Sequence, residues 1–141
     1  MPKQSLLEKY AKLAVQIGEK LGLNKEELTD LYWAGILHDI GKVGLNSHLL
    51  TSRNTLTIGE YETIKTHVQL GYDVLKQSKE LYRIASAVKH HHEMLDGSGY
   101  PDGLKGDEIP LYSKILAVCE MVTTLGRDQR YKAKVPKGLI I

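Results

Sequence analysis

The sequence predicts an all-α fold. Apolar residues recur at three-and-four spacing in segment after segment. No alternating strand pattern of useful length appears. Two helix starts carry a capping residue followed three positions later by an acid, at Asn24/Glu27 and Thr57/Glu60.

The first helix is expected between Leu6 and Leu21, with Leu6, Tyr10, Leu13, Ala14, Ile17 and Leu21 on one face. The second opens at Asn24 and carries Leu28, Leu31, Tyr32, Gly35 and Ile36 toward His38, before Gly41 and Gly44 interrupt the pattern. The third opens at Thr57 with the stripe Ile64, His67, Val68, Gly71 and Leu75. A fourth places Leu81, Ile84, Ala85 and Val88 on one face, and the same spacing continues to His91 and His92 but passes over His90. From Lys89 to Pro110 the chain reads KHHHEMLDGSGYPDGLKGDEIP, with four glycines and two prolines. Such glycines permit positive φ and tight turns, and Asp96 suits a turn cap. The last helix, capped at Ser113, would carry Ile115, Val118, Cys119, Val122 and Leu125, with Glu120 off the most apolar stripe.

Composition narrows the classes. At 141 residues the chain suits one domain spanning 1–141 with a single core. A lone cysteine, Cys119, cannot close an internal disulfide, which favours a reducing, cytoplasmic setting. No apolar run approaches the ~18 residues of a membrane span, and the start MPKQSLLEKY has no signal-peptide anatomy. A net charge of +2 is too small to mark a DNA-binding surface, and the basic stretch GRDQRYKAKVPKG reads as solvated. Oligomeric state is left open.

One histidine on an apolar face is ordinarily a hydrogen-bonded core residue. Here His38, His67, His91 and His92 all fall where a helix turns its apolar side inward or ends, and Asp39 adds a carboxylate. Burying such groups unpartnered costs ~2–7 kcal/mol each, a cost that a shared divalent cation would offset. Imidazole plus carboxylate, with no thiolate nearby, favours manganese, iron, zinc or nickel over magnesium. Zinc-finger cysteine spacing is absent, which disfavours a structural zinc site.

The stretches AGILHDIGKVGL, IKTHVQLGYDVL and HHEMLDGSGYPDGLKGDEIPLYSKILAV resemble the HD-GYP branch of the HD-domain metal phosphohydrolases, over most of residues 6–132 and in family order. The resemblance implies an HD-domain bundle of five or more helices with a long glycine-rich GYP loop. It also implies bound iron or manganese and hydrolysis of cyclic di-GMP to the linear dinucleotide or to GMP. It makes His38, Asp39, His67, His91, His92 and Glu120 the metal ligands, with Asp39 bridging two ions. Asp39 and Lys42 become the catalytic residues, and Lys42, Tyr100 and Arg130 the substrate contacts. Lys42 read alone is equally a solvated loop lysine, and Tyr100 an aromatic anchoring its own turn.

This chain departs from the family pattern at named positions. Leu6 stands where the family has its first metal-binding histidine, and leucine cannot ligate. Glu120 replaces the last aspartate, Thr123 replaces an aspartate a turn later, and Gln129 and Arg130 replace an arginine and a proline. One or two ions are therefore expected. Two readings stay open: an active phosphodiesterase, or a catalytically degenerate module that binds nucleotide or a signalling protein partner. The resemblance further implies helix continuing beyond Ile141 and a sensor or receiver domain ahead of this one, so that the chain reads as a fragment or a minimal form.

Overall fold

The computed structural model describes residues 5–44 and 57–125. Six α-helices follow in order: α1 (Leu6–Lys20), α2 (Lys25–Leu37), α3 (Ile58–Lys65), α4 (His67–Leu75), α5 (Tyr82–Lys89) and α6 (Leu111–Leu125). Short 3-10 turns lie at Ile40–Gly44 and Gly106–Glu108. Among the described residues there is no strand, only an isolated bridge between Asp96 and Lys105. None of these helices is long and apolar enough to cross a membrane.

Local chemistry sets the helix starts. Both expected capping boxes form: Asn24 with Glu27 opens α2, and Thr57 with Glu60 opens α3. Ser5 caps α1 by accepting from the Glu8 amide at 3.1 Å. Each such cap satisfies amides that no helical carbonyl can reach and is worth ~1 kcal/mol.

The expected third helix is two helices. Thr66 lies between α3 and α4, its hydroxyl donating to Thr63 O at 2.6 Å while His67 Nδ1 meets Ile64 O at 2.8 Å. These side-chain bonds occupy carbonyls at the end of α3, and His67, the next residue, is buried.

The principal core joins α1, α2, α5 and α6. Tyr10, Ala14, Leu31, Ala34, Ile84 and Leu116 are among its buried members. The small residues Ala11, Ala14 and Ala34 let α1 and α2 approach closely. A second cluster, of Leu75, Ala85 and Val88, packs Ile40 and Tyr72 against α4 and α5. Gly41 presses on the start of α4 so closely that an added Cβ would overlap His67 O and come within 2.7 Å of Gly71 N.

The expected α6 face needs correction. Val118 and Val122 are exposed, while Leu116 and Ser113 are fully buried. The helix starts at Leu111, so Ser113 is no cap; its hydroxyl donates to Ala87 O at 2.9 Å and ties α6 to α5. At the ends of the first stripe, Leu6 and Leu21 are exposed as well.

Candidate metal centre

Three segments bring the expected histidines and Asp39 together. His38 and Asp39 follow α2, His67 begins α4, and His91 and His92 follow α5. His38, His67 and His91 are each buried to within 3% of full occlusion.

Three rings are aimed by one device. His38 Nδ1 lies 2.6 Å from Gly35 O, His67 Nδ1 2.8 Å from Ile64 O, and His91 Nδ1 2.6 Å from Val88 O. A carbonyl can only accept, so each Nδ1 carries the proton and donates it. The neutral ring then presents Nε2 as a lone pair. Such a bond to a carbonyl three residues back orients a metal-ligating histidine and fixes its tautomer.

All three Nε2 atoms face Asp39. His67 Nε2 lies 3.3 Å and His91 Nε2 3.9 Å from Oδ1, whereas His38 Nε2 and Lys42 Nζ each lie 3.1 Å from Oδ2. Glu120 Oε2 approaches His38 Nε2 at 3.7 Å from α6. Asp39 thus divides the site, one oxygen toward His67 and His91, the other toward His38, Lys42 and Glu120.

The first side has a polar deficit. Asp39 Oδ1, His67 Nε2 and His91 Nε2 are buried and make no well-formed hydrogen bond. The 3.3 Å approach of His67 to Asp39 sets lone pair against lone pair when the ring is neutral, which repels unless positive charge intervenes. Asp39, His67, His91 and His92 offer ligand atoms within 4.8 Å of one another, the first of two such groups among the described residues. Their donor set, imidazole and carboxylate, fits a divalent transition ion.

Electrostatics agree. Burial, then the adjoining His38 and His67 rings, pushes His91 down to about 3, so it is neutral and ready to coordinate. His92 keeps some exposed surface, yet crowding and then its histidine neighbours lower it well below its usual value. For His38 burial works toward neutrality, but the Asp39 hydrogen bond and the Asp39 and Glu120 charges outweigh it and raise the ring. Burial opposes ionisation of Asp39 too, and the His38 hydrogen bond, with the close approach of the His67 ring and the Lys42 charge, still holds it well below the usual carboxylate range.

Tyr100 stacks on His92 with centroids 5.0 Å apart and planes at 18°, and its amide donates to His92 O at 3.3 Å. The loop that carries it folds back on itself. Gly99 lies where a Cβ would strike the backbone of His92, Glu93 and Met94, so only glycine fits. The expected turn at Asp96 forms, Oδ1 accepting from the Ser98 amide at 2.9 Å, and Gly97 takes φ +85°.

Leu6 is 57% exposed on the first turn of α1 and offers no donor. Arg130, with Gln129, lies outside the described residues.

Three residues escaped the sequence reading. Tyr10, read as part of an apolar stripe, stacks flat on His38 at 3.9 Å and donates its hydroxyl to Leu116 O at 2.6 Å. A buried tyrosine needs a partner for its hydroxyl, and that was the available signal. Glu93 is 5% exposed and accepts the amides of Asp102 and Leu104, each at 2.9 Å. It anchors the loop, but with partners 9 and 11 residues away it leaves no local signature. His90, passed over by the stripe, pairs with Asp102 Oδ2 at 2.8 Å. With Glu93 these two make the second group of potential ligands. Glu93 is engaged by amides and Asp102 by His90 and Lys89, so that group is internally satisfied.

Comparison with known proteins agrees with this geometry. The HD domain family matches residues 3–138. The cyclic di-GMP phosphodiesterase response regulator RpfG of Xanthomonas campestris is 37% identical over 130 residues, covering 91% of this chain and 34% of that protein. A cyclic di-GMP phosphodiesterase of Thermotoga maritima is 36% identical over 131 residues, 92% of this chain and 36% of that protein. The 3'3'-cGAMP-specific phosphodiesterase 2 of Vibrio cholerae is 33% identical over 128 residues, 89% of this chain and 24% of that protein. The chain therefore spans about a third or less of the length of these relatives. It belongs to the HD domain family, and the relatives support the HD-GYP resemblance of its motifs.

Proposed function

We propose that this chain, read as one domain, is a metal-dependent phosphodiesterase of HD-GYP type that hydrolyses cyclic di-GMP to the linear dinucleotide or GMP. One observation carries the reading: the inward Nε2 atoms of His67 and His91 and Oδ1 of Asp39 are buried together without hydrogen-bond partners. Asp39, His67, His91 and His92 would hold one ion of manganese or iron. His38 and Glu120, with the other oxygen of Asp39, would hold a weaker second.

Bound divalent ions supply Lewis acidity that activates a water nucleophile and stabilises charge on phosphoryl oxygens. The protein's own groups do the rest. The carbonyls of Gly35, Ile64 and Val88 keep three rings in the ligating tautomer. Lys42, beside Asp39 Oδ2 at 3.1 Å, supplies a point charge for a phosphate oxygen. His38 Nε2 lies between Asp39 Oδ2 at 3.1 Å and Glu120 Oε2 at 3.7 Å, and these acidic neighbours, which raise its affinity for a proton, would equally favour a cation there. Tyr100, stacked on His92, borders the site where a dinucleotide would lie.

The test is hydrolysis of cyclic di-GMP by protein reconstituted with manganese or iron, compared with Asp39→Ala. Turnover lost in the variant supports the reading, and no turnover with manganese, iron or nickel overturns it.

Leu6 favours a second reading, that the domain binds nucleotide or a signalling protein without catalysis. Its exposed leucine leaves the His38 side with fewer donors than the His67 side. One ion per chain without hydrolysis supports this alternative; two ions with hydrolysis exclude it.

A further inference from the structure

The corner of the site beyond Tyr100 is built by α3, whose side chains have no part in the proposed chemistry. Lys65 Nζ sits 5.2 Å from the centroid of the Tyr100 ring and 5.5 Å from that of Tyr61. The two phenol rings meet edge to face, with centroids 6.4 Å apart and planes at 84°. Tyr100 in turn lies on His92, so this ammonium is one aromatic ring removed from the candidate metal ligands.

The pairing of Lys65 is weak for its setting. Its anionic partner is Glu62 at 2.9 Å, whose side chain is 60% exposed while that of Lys65 is 25% exposed. Exposed i,i+3 pairs of this kind contribute little, so a phosphate oxygen could displace the glutamate at small cost. Two aromatic rings meanwhile strip water from the ammonium and hold it in place, and a partly desolvated, pre-positioned cation binds an anion more strongly than a free lysine does.

We propose that Lys65, framed by Tyr61 and Tyr100, is the site for the second, non-scissile phosphodiester of a cyclic dinucleotide. This inference rests on the proposed substrate class, though not on turnover. A cyclic dinucleotide carries two phosphodiesters on opposite sides of one ring. Lys42 stands beside Asp39 at one position along the ligand cluster. Lys65 stands past His92 at another. A ligand with one phosphate can use a single cation; a cyclic dinucleotide engages both, and selection between the two ligands follows from this pair of charges.

Binding tests it separately from catalysis. Calorimetry with manganese-loaded protein would compare a hydrolysis-resistant phosphorothioate analogue of cyclic di-GMP with a guanosine methyl phosphodiester, which has one phosphate. Lys65→Ala should weaken the cyclic ligand by about 10-fold, the scale of one charge-assisted contact, and should reduce the preference for cyclic over single-phosphate ligand by a similar factor. Lys65→Arg should restore most of that preference, since it keeps the cation. Lys76→Ala removes a lysine that likewise lies over a tyrosine, Tyr72, but away from the site, and controls for loss of surface charge. Unchanged affinity in Lys65→Ala, equal weakening of both ligands, a matching loss in Lys76→Ala, or no binding of the cyclic ligand to the wild type overturns the inference. Retained binding and preference without hydrolysis would uphold it while overturning the proposed activity.

Discussion

Acid should destabilise the metal-free protein through its own ligand cluster. His91 is pushed down to about 3 in the folded chain, by burial first and then by the neighbouring histidine rings. In the unfolded chain the same ring titrates near ~6.5. Between those values the unfolded state binds the extra proton, so stability falls as pH falls, at up to ~1.4 kcal/mol per pH unit. Across the whole window His91 alone removes ~5 kcal/mol, which matches the lower end of the ~5–15 kcal/mol that holds an ordinary domain folded. His92 acts with the same sign. His38 is raised, so its contribution is fully present below its unfolded value and is lost only as pH rises through its folded one. Asp39 is lowered, so its contribution is present above the usual carboxylate value and is lost only in stronger acid. From about pH 6.5 to 4, buried histidine therefore sets the slope. Urea unfolding of chelator-treated protein at about pH 7, 6 and 5 measures it. The wild type should lose more than ~1 kcal/mol per unit, and His91→Gln should flatten the slope by up to ~1.4 kcal/mol per unit. Stability independent of pH, or the same slope in both proteins, would mean that His91 does not titrate between the folded and unfolded states in this way.

Further outcomes follow from the same geometry. Gly41→Ala drives a methyl group into the backbone at His67 and Gly71, so it should cost upwards of ~1–3 kcal/mol and weaken manganese binding together with thermal stability. Glu93→Ala leaves the Asp102 and Leu104 amides without their acceptor, at ~1–3 kcal/mol each; hydrogen exchange should rise at those two amides before it rises in the helices. Leu6→His combined with Glu120→Asp restores the family's ligand types on the His38 side, and elemental analysis should find metal content rising from about one ion to two, as dinuclear sites of this chemistry require. Unchanged metal content would show that the His38 side is limited by something other than these donors.

The fold was legible wherever local chemistry decides it. The capping boxes at Asn24 and Thr57 form as their spacing dictates, because a cap closes within four residues. The break at Thr66 was hidden, since periodicity runs through it and the bonds that mark it, from the Thr66 hydroxyl and the His67 ring to Thr63 O and Ile64 O, leave no trace in hydropathy. On α6 the apolar residues outnumber the positions that the core can cover, so hydropathy could not tell exposed Val118 and Val122 from buried Leu116. Ser113 looked like a cap because serine favours caps, but its hydroxyl is used between helices.

The candidate site divides in the same way. His38, Asp39, His67, His91 and His92 were readable because helical spacing put polar residues where apolar ones belong, and burying them without partners is costly. Their convergence comes from three separate helix ends, which motif order implied but no local pattern contained. Tyr10, Glu93 and Lys65 act through packing, loop amides and ring faces far apart in sequence, so their roles became visible only in three dimensions.

Anomalous diffraction from crystals grown with manganese would locate the ion at the His67–His91 cluster. An anomalous peak is expected within reach of His67 Nε2, His91 Nε2, His92 and Asp39, at roughly 2.0–2.3 Å, the range of first-row metal bonds to nitrogen and oxygen. A pocket without that peak at saturating manganese, with the same rings bonded to water or to one another, would contradict a metal centre there.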